Sequence, residues 1–324
     1  LPESWLNLKN KNGSNKDVLN KKNKTKIKLC FKAVRPYHAI KNLLLFVPLF
    51  VGHQYFNIIA IKNSFLGFFV FCLLASSAYL INDLVDLKND KQHVKKQNRP
   101  FASGELSLKI GYTFAPLLAI TALSLTILLP LNFLIIAMAY YGITLLYTFF
   151  IKQIKWLDAI LLAILYSMRV FAGMTLIKNG FSFWLIFFVL CLFFSLALLK
   201  RYAELTAIQT ENKFAILGRD YQIKDKIKLA LLGYISGYLS ILVFIFYIYS
   251  AKAQLFYGTP LLLWLICPCL FIWLNHMWQF AQEGKIYDDP VIFTVKNSFS
   301  WIFLLLIVIF SVLATEIRLP FYSL

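Results

Sequence analysis

The run Ser64 to Ile81 (SFLGFFVFCLLASSAYLI) is almost wholly apolar. It leads directly into Asn82-Asp83-Leu84-Val85-Asp86-Leu87-Lys88-Asn89-Asp90, and a basic stretch ending in Arg99-Pro100 follows. Eighteen such residues are enough to cross a bilayer core, so the acidic run is expected at the mouth of a transmembrane helix. At about 100° per residue, Asn82, Asp86, Asp90 and Asp83 fall near 0°, 40°, 80° and 100° on a helical wheel. One quadrant therefore carries three carboxylates and an amide. Carboxylates this close repel one another unless a cation sits among them. Mg²⁺ suits the pattern, because it takes one or two protein carboxylates and completes its shell with water and phosphate oxygens. The bland alternative is a solvated acidic cap on a helix end.

Working outward, the chain is 60% hydrophobic with a mean hydropathy of +0.68, which excludes an ordinary soluble domain. Nine stretches are expected to span a membrane, near 42–61, 64–82, 110–129, 131–150, 157–176, 182–199, 228–250, 259–278 and 299–318. The fold class expected is an all-α bundle of nine transmembrane helices. With the amino terminus in the cytoplasm and the carboxyl end external, only Lys62, Lys178, Lys252 and Arg318 fall outside and Arg169 falls within a span. The rest of the 33 Lys and Arg lie on the cytoplasmic side, as the positive-inside rule requires. Residues 1–34 read as a flexible basic tether and 35–324 as the catalytic domain. Because the chain begins at Leu1 and not Met, an upstream domain stays open.

The net charge of +18 is thus an asymmetry facing anionic lipid headgroups. It is not a nucleic-acid footprint, since no zinc-finger or helix-turn-helix pattern accompanies it. Neither the five Cys nor the four His show metal-ligand spacing.

Polar groups concentrate in the cytoplasmic connections. They include Arg35-Pro36-Tyr37-His38-Ala39-Ile40-Lys41-Asn42, then His93, Lys95, Lys96 and Arg99, then Tyr147, Lys152, Lys155 and Asp158. Lys200-Arg201-Tyr202-Ala203-Glu204 and Gly218-Arg219-Asp220-Tyr221 follow. Arg169 lies eleven residues beyond Asp158, roughly 16 Å deeper along a helix, so it should face the interior and meet an anion or a carboxylate. Eleven residues return to about 20° on the wheel, placing Asp158, Tyr166, Arg169 and Gly173 on one face. A purely structural pair with Asp158 is the alternative. Together these groups suggest a cavity open to the cytoplasm, with carboxylates on one wall and Lys and Arg on the others, suited to a diphosphate leaving group.

Asn82-Asp83-x-x-Asp86-x-x-x-Asp90 after a second span resembles the first aspartate-rich motif of the UbiA superfamily of intramembrane prenyltransferases. Where most aromatic prenyltransferases of that superfamily carry a second aspartate motif, this chain has Lys200-Arg201-Tyr202-Ala203-Glu204-Leu205. That sequence is similar to the decaprenyl-phosphate phosphoribosyltransferase branch. Arg35-Pro36 with Lys41-Asn42, the set Tyr147, Lys152, Asp158, Tyr166, Arg169 and Gly173, and Asp289-Pro290-Val291 resemble the same branch. His38, Ala39 and Val94 depart from it.

The resemblance implies transfer of 5-phosphoribose from phosphoribosyl diphosphate to a polyprenyl phosphate, with loss of diphosphate. Mg²⁺ would be held by Asn82, Asp83, Asp86 and Asp90. Lys152 and Asp158 would join the catalytic set. Arg35, Lys41, Asn42, Lys96, Arg99, Tyr147, Tyr166, Arg169, Lys200, Arg201 and Glu204 would bind substrate. The acceptor phosphate is already ionised, so no general base is required. The implied setting is a bacterial inner (plasma) membrane, with the active site cytoplasmic, lipid substrates, a soluble co-substrate, no nucleic-acid partner and a homo-oligomer left open. Two alternatives stay open: prenyl transfer from a prenyl diphosphate to an aromatic acceptor such as 4-hydroxybenzoate, and a secondary transporter. The latter predicts ionisable residues at mid-membrane, where only Arg169 is expected.

Overall fold

The computed structural model describes residues 28–92, 96–178, 180–210, 220–286 and 289–318. Among the described residues the protein is all-helical, with no β-strand. Most of the expected tether lies outside the described residues; its last part, 28–34, is helical.

Eight helices are long and apolar enough to cross a membrane among the described residues. In chain order the helices are α1 (Pro36–Val51), α2 (Ile58–Val85), α3 (Leu87–Gln92), α4 (Leu108–Leu128), α5 (Leu131–Phe149), α6 (Leu157–Met174), α7 (Phe183–Gln209) and α8 (Ile223–Ile248). Then come α9 (Ala251–Phe256), α10 (Pro260–Gln282), α11 (Pro290–Lys296) and α12 (Ser298–Glu316). The long ones are α2, α4–α8, α10 and α12. Inside an apolar medium every polar backbone and side-chain group needs an internal partner. Their hydroxyls accordingly bond back to their own helix: Thr121 to the Leu117 carbonyl at 2.8 Å, Thr144 to Tyr140 at 2.7 Å and Ser311 to Ile307 at 2.8 Å. Ile302, Leu305, Val308 and Val312 stand exposed along α12, as a lipid-facing stripe does.

Eight of the nine expected spans appear as long apolar helices among the described residues, and the first takes another form. Residues 42–61 are not one helix: α1 is 3-10 over Pro36–Phe46 and α only over Val47–Val51. The chain then turns through His53, whose φ is +53°. It re-enters a helix where Asn57 Oδ1 accepts the N–H groups of Ile59 and Ala60 at 3.0 and 3.2 Å. Pro48, Gly52 and Asn57 are ordinary breaker and cap residues, hidden in the sequence by the apolar residues around them.

Two compact units make up the fold: Leu1–Ala39 with Cys72–Thr121, and Ile40–Phe71 with Ala122–Leu324. In the first, Ala33, Leu80, Phe101, Leu106 and Ala115 form the core, and Ser77 donates to the Ala115 carbonyl at 2.7 Å. At the α2–α3 junction Asp86 sits in a turn, yet its N–H bonds the Asn82 carbonyl at 2.9 Å and Asp90 N–H bonds Asp86 at 2.8 Å. Helical register therefore carries through the acidic run.

In the second unit α7 packs along α6 and α8. Fully buried Trp278 stacks on Tyr234 at 5.0 Å and donates from Nε1 to Ser195 Oγ at 3.2 Å. α6 meets α1 where Gly173 lies against the Leu45 backbone carbonyl, leaving no space for a Cβ. Backbone cannot yield as a side-chain tip can. Gly173→Ala should therefore lower stability by about 1–3 kcal/mol, seen as a lower thermal midpoint in detergent; an unchanged midpoint would contradict the close approach.

Candidate active site

Buried charge gathers in both units. In the first unit the acidic run is met by two arginines. Arg35 Nη2 donates to Asp83 Oδ1 at 2.5 Å, and Arg99 Nη1 reaches Asp83 Oδ1 at 3.1 Å and Asp90 Oδ2 at 2.5 Å. Arg35 stands immediately before Pro36 with φ of +55°, a left-handed conformation that costs a non-glycine residue about 1–3 kcal/mol. The strain aims its guanidinium at Asp83 and over the Tyr79 ring, 5.4 Å from the centroid. Asp83 and Asp90 are buried, Asn82 and Asp86 half-buried, and Lys96 exposed.

The donor set is all oxygen, as a hard divalent cation prefers. Asp83 Oδ2 is buried and has no hydrogen-bond partner among the described residues, so one carboxylate oxygen is held inward without a donor there. These features fit Mg²⁺. Among the described residues, however, no three Asp, Glu, His or Cys side chains converge closely enough to hold an ion as they stand; Arg35 and Arg99 occupy the carboxylates instead.

The second unit contains two distinct arrangements. The first is a knot of ion pairs and hydrogen bonds around Arg201. Arg201, fully buried, places Nε 2.6 Å from Asp158 Oδ2, gives Nη1 to both Glu204 oxygens at 2.7 and 2.6 Å, and gives Nη2 to Tyr147 Oη at 3.3 Å. Tyr221 donates to Asp158 Oδ1 at 2.6 Å while accepting the Trp156 N–H at 2.9 Å. Burial and the bond to Asp158 push the Tyr221 phenol up from its ordinary range, so it remains a donor. Trp156 is itself at φ +69°. Beside this knot Lys155 pairs with Asp225 at 2.7 Å, and Lys152 stands half-buried on the turn Ile151–Gln153.

The second arrangement is unbalanced. Asp289 Oδ2 accepts Lys41 Nζ at 2.8 Å, Lys200 Nζ at 3.0 Å and the Tyr166 hydroxyl. Its other oxygen accepts Val291 N–H at 3.2 Å as the cap of α11. Burial by itself raises the Asp289 carboxyl, but the two ammonium groups and the Tyr166 hydroxyl outweigh it and hold it well below the usual carboxylate range. Arg169, also buried, is held by neutral acceptors: Asn42 Oδ1 at 2.9 Å, the Leu165 carbonyl at 2.5 Å and Tyr140 Oη at 2.9 Å. Lys41 and Arg169 lie 5.4 and 5.5 Å from the Tyr166 ring centroid.

Phe193 stacks on that ring at 5.5 Å. It also lines an apolar cavity of about 540 Å³ together with Ile40, Leu44, Val170, Leu196 and Val291. That volume is in the range of small-molecule sites. The cationic group is thus linked to the cavity through the Tyr166 and Phe193 rings, an arrangement that suits an anionic head on a hydrocarbon tail.

The alternative reading, a structural pair of Arg169 with Asp158, is not what the structure shows. Asp158 is taken by Arg201 arriving from α7, and Arg169 turns to Asn42. Of the expected site residues, the structure joins Asp83, Asp90, Arg35 and Arg99 in one group. A second group joins Asp158, Arg201, Glu204 and Tyr147, and a third Lys41, Asn42, Tyr166, Arg169 and Lys200. His93, Lys95, Gly218 and Arg219 lie outside the described residues. The expected set lacks Asp289, Tyr140 and Tyr221. Asp289-Pro290 carried the usable signal, because an Asp before a Pro at the first helical position is a cap.

Residues 44–285 match the model of the UbiA prenyltransferase family. The fold agrees: the structure of a UbiA homolog from Archaeoglobus fulgidus bound to GPP and Mg²⁺ superposes with a TM-score of 0.65 at 12% identity, covering 89% of this chain and 100% of that one. The chain belongs to the UbiA prenyltransferase family, a family of membrane transferases. Among relatives it is 31% identical to the protein y4nM of Sinorhizobium fredii, over 83% of this chain and 52% of that protein. It is 39% identical to the decaprenyl-phosphate phosphoribosyltransferase of Mycolicibacterium smegmatis, over 54% of this chain and 56% of that protein. The matches therefore span about half the length of each of these two relatives.

Arg201→Met should strand Asp158 in the interior and cost about 3–5 kcal/mol. Arg201→Met combined with Asp158→Leu should recover much of that loss. Thermal unfolding of both variants checks this, and a single variant as stable as the parent would deny the knot its structural role.

Proposed function

We propose that the protein transfers 5-phosphoribose from phosphoribosyl diphosphate to a polyprenyl phosphate. The observation that carries this reading is the unbalanced group of Lys41, Lys200 and Arg169 against Asp289, linked to the apolar cavity through the stacked rings of Tyr166 and Phe193. It matches an acceptor that is a phosphate on an isoprenoid. The relative named decaprenyl-phosphate phosphoribosyltransferase supports the same choice. Glu204, the one acid in the Lys200–Glu204 stretch, is bidentate to Arg201, an engagement unlike that of a second metal-binding motif.

Asn82, Asp83, Asp86 and Asp90 would hold Mg²⁺, as the Mg²⁺-bound structural neighbour suggests. When bound, the ion supplies Lewis-acid neutralisation of a departing diphosphate. Arg35 and Arg99, already on Asp83 and Asp90, bring cations that can turn to phosphate oxygens. Lys41, Lys200 and Arg169 bind and orient the acceptor phosphate, whose own oxygen attacks ribose C1; the C1–diphosphate bond breaks and the diphosphate carries away the electron pair. The acceptor oxygen needs no deprotonation at neutral pH, since its second pKa is about 6. Arg201 and Asp158 act as positioning residues, because both are fully enclosed.

The active site is placed on the cytoplasmic side of a bacterial inner membrane, with the amino terminus inside. The segregation of Lys and Arg is kept only if α1 also crosses, so nine crossings and this orientation are proposed together. A reporter fused after Leu324 should read external, and a cytoplasmic signal would contradict the topology.

The test of function is incubation of purified protein with phosphoribosyl diphosphate, a polyprenyl phosphate and Mg²⁺. Lipid-linked phosphoribose is expected by mass spectrometry, abolished by EDTA and reduced at least about 100-fold in Asp86→Asn, as removal of an electrostatic catalytic group does. A prenylated 4-hydroxybenzoate from a parallel incubation with a prenyl diphosphate would replace the substrates proposed here.

A further inference from the structure

Asp289 does something unusual for a buried carboxylate. One of its oxygens accepts three donors, Lys41, Lys200 and Tyr166, so it sits where an oxygen of a bound phosphate would gather the same groups. Counting Arg169 across the Tyr166 ring, the described group has three cations and one anion, a surplus of two positive charges. A phosphate monoester carries about −1.5 to −2 at neutral pH, which that surplus balances. A diphosphate carries more. Without Asp289 the surplus would rise to three and favour the more highly charged head.

We propose that Asp289 is the residue that makes this site select a lipid monophosphate over a lipid diphosphate. It subtracts one charge from the Lys41, Lys200 and Arg169 receptor and competes with the incoming head for Lys41 and Lys200. Specificity of this kind comes from a built-in repulsion as much as from attraction. The extra negative charge of a diphosphate would be brought toward the buried Asp289 carboxylate, where like charges repel strongly at low dielectric. The proposal rests on the reading that the cavity takes the isoprenoid acceptor. It adds which lipid head is refused and by what group.

Asp289→Asn is the direct variant, because Asn also caps a helix and keeps the start of α11. The full purified chain, in detergent with EDTA, would be titrated with a polyprenyl phosphate and a polyprenyl diphosphate of equal chain length, with binding read by native mass spectrometry. The parent protein should prefer the monophosphate by about tenfold or more. Asp289→Asn should shrink that preference at least tenfold by gaining diphosphate affinity. Lys200→Gln, which lowers the surplus instead, should move the ratio the other way and serves if Asp289→Asn does not fold. An unchanged ratio in Asp289→Asn, an equal loss of both lipids, or a ratio in Lys200→Gln that stays or falls would overturn the proposal. If selectivity holds while phosphoribose transfer is absent, the donor assignment fails and this inference stands.

Discussion

Charge buried in a medium of low dielectric must find a partner, and much of this protein's polar architecture follows from how each buried charge finds one. Arg201 is one cation met by two carboxylates. Its guanidinium is engaged by Asp158, Glu204 and Tyr147, and Asp158 also accepts from Tyr221. Such a knot ties α6, α7 and the segment before α8 together. Lys41, Lys200 and Arg169 are the opposite case: two lysines share a single carboxylate oxygen, and Arg169 is held by neutral acceptors among the described residues. An excess of that kind is tolerated where a ligand completes it.

Local strain marks the same places. Arg35 and Trp156 both adopt positive φ, and each stands at the entrance to a charged group, Arg35 beside Asp83 and Trp156 beside the Tyr221–Asp158 bond. Backbone strain persists where surrounding contacts over-determine it. Here the contacts are ion pairs and buried hydrogen bonds, so the charge network and the strained backbone support each other. The apolar cavity is formed by side chains adjacent in sequence to the charged ones: Ile40 before Lys41, Val170 after Arg169 and Leu196 one turn before Lys200. Helical periodicity thus fixes a polar head position and an apolar tail path at once.

Apolar runs and the acidic motif made the helical membrane fold legible from sequence, since length and hydropathy alone determine which segments can cross. Residues 42–61 misled because hydropathy averages over Pro48, Gly52 and His53, whose backbone effects are local. The quadrant of Asn82, Asp83, Asp86 and Asp90 was legible from helical spacing, and register does continue through Asp86. The partner of Arg169 was not. Wheel positions give a shared face, whereas the choice of partner depended on Arg201 from another helix, which no periodicity within α6 encodes. Asp289 was visible in the Asp289-Pro290-Val291 resemblance and as a cap before Pro290; that it gathers Lys41, Lys200 and Tyr166 depends on contacts over more than 80 residues of sequence.

The central claim is that the cationic group around Asp289 receives the lipid phosphate by itself, while divalent metal belongs to the Asp83–Asp90 motif. The most direct test is the affinity of the purified protein for a polyprenyl phosphate with and without EDTA, in the absence of any donor. Binding unchanged by EDTA, and lost when Lys41 and Lys200 are both replaced by Gln, is the result expected. Binding that requires added Mg²⁺, or survives the double replacement, would contradict it.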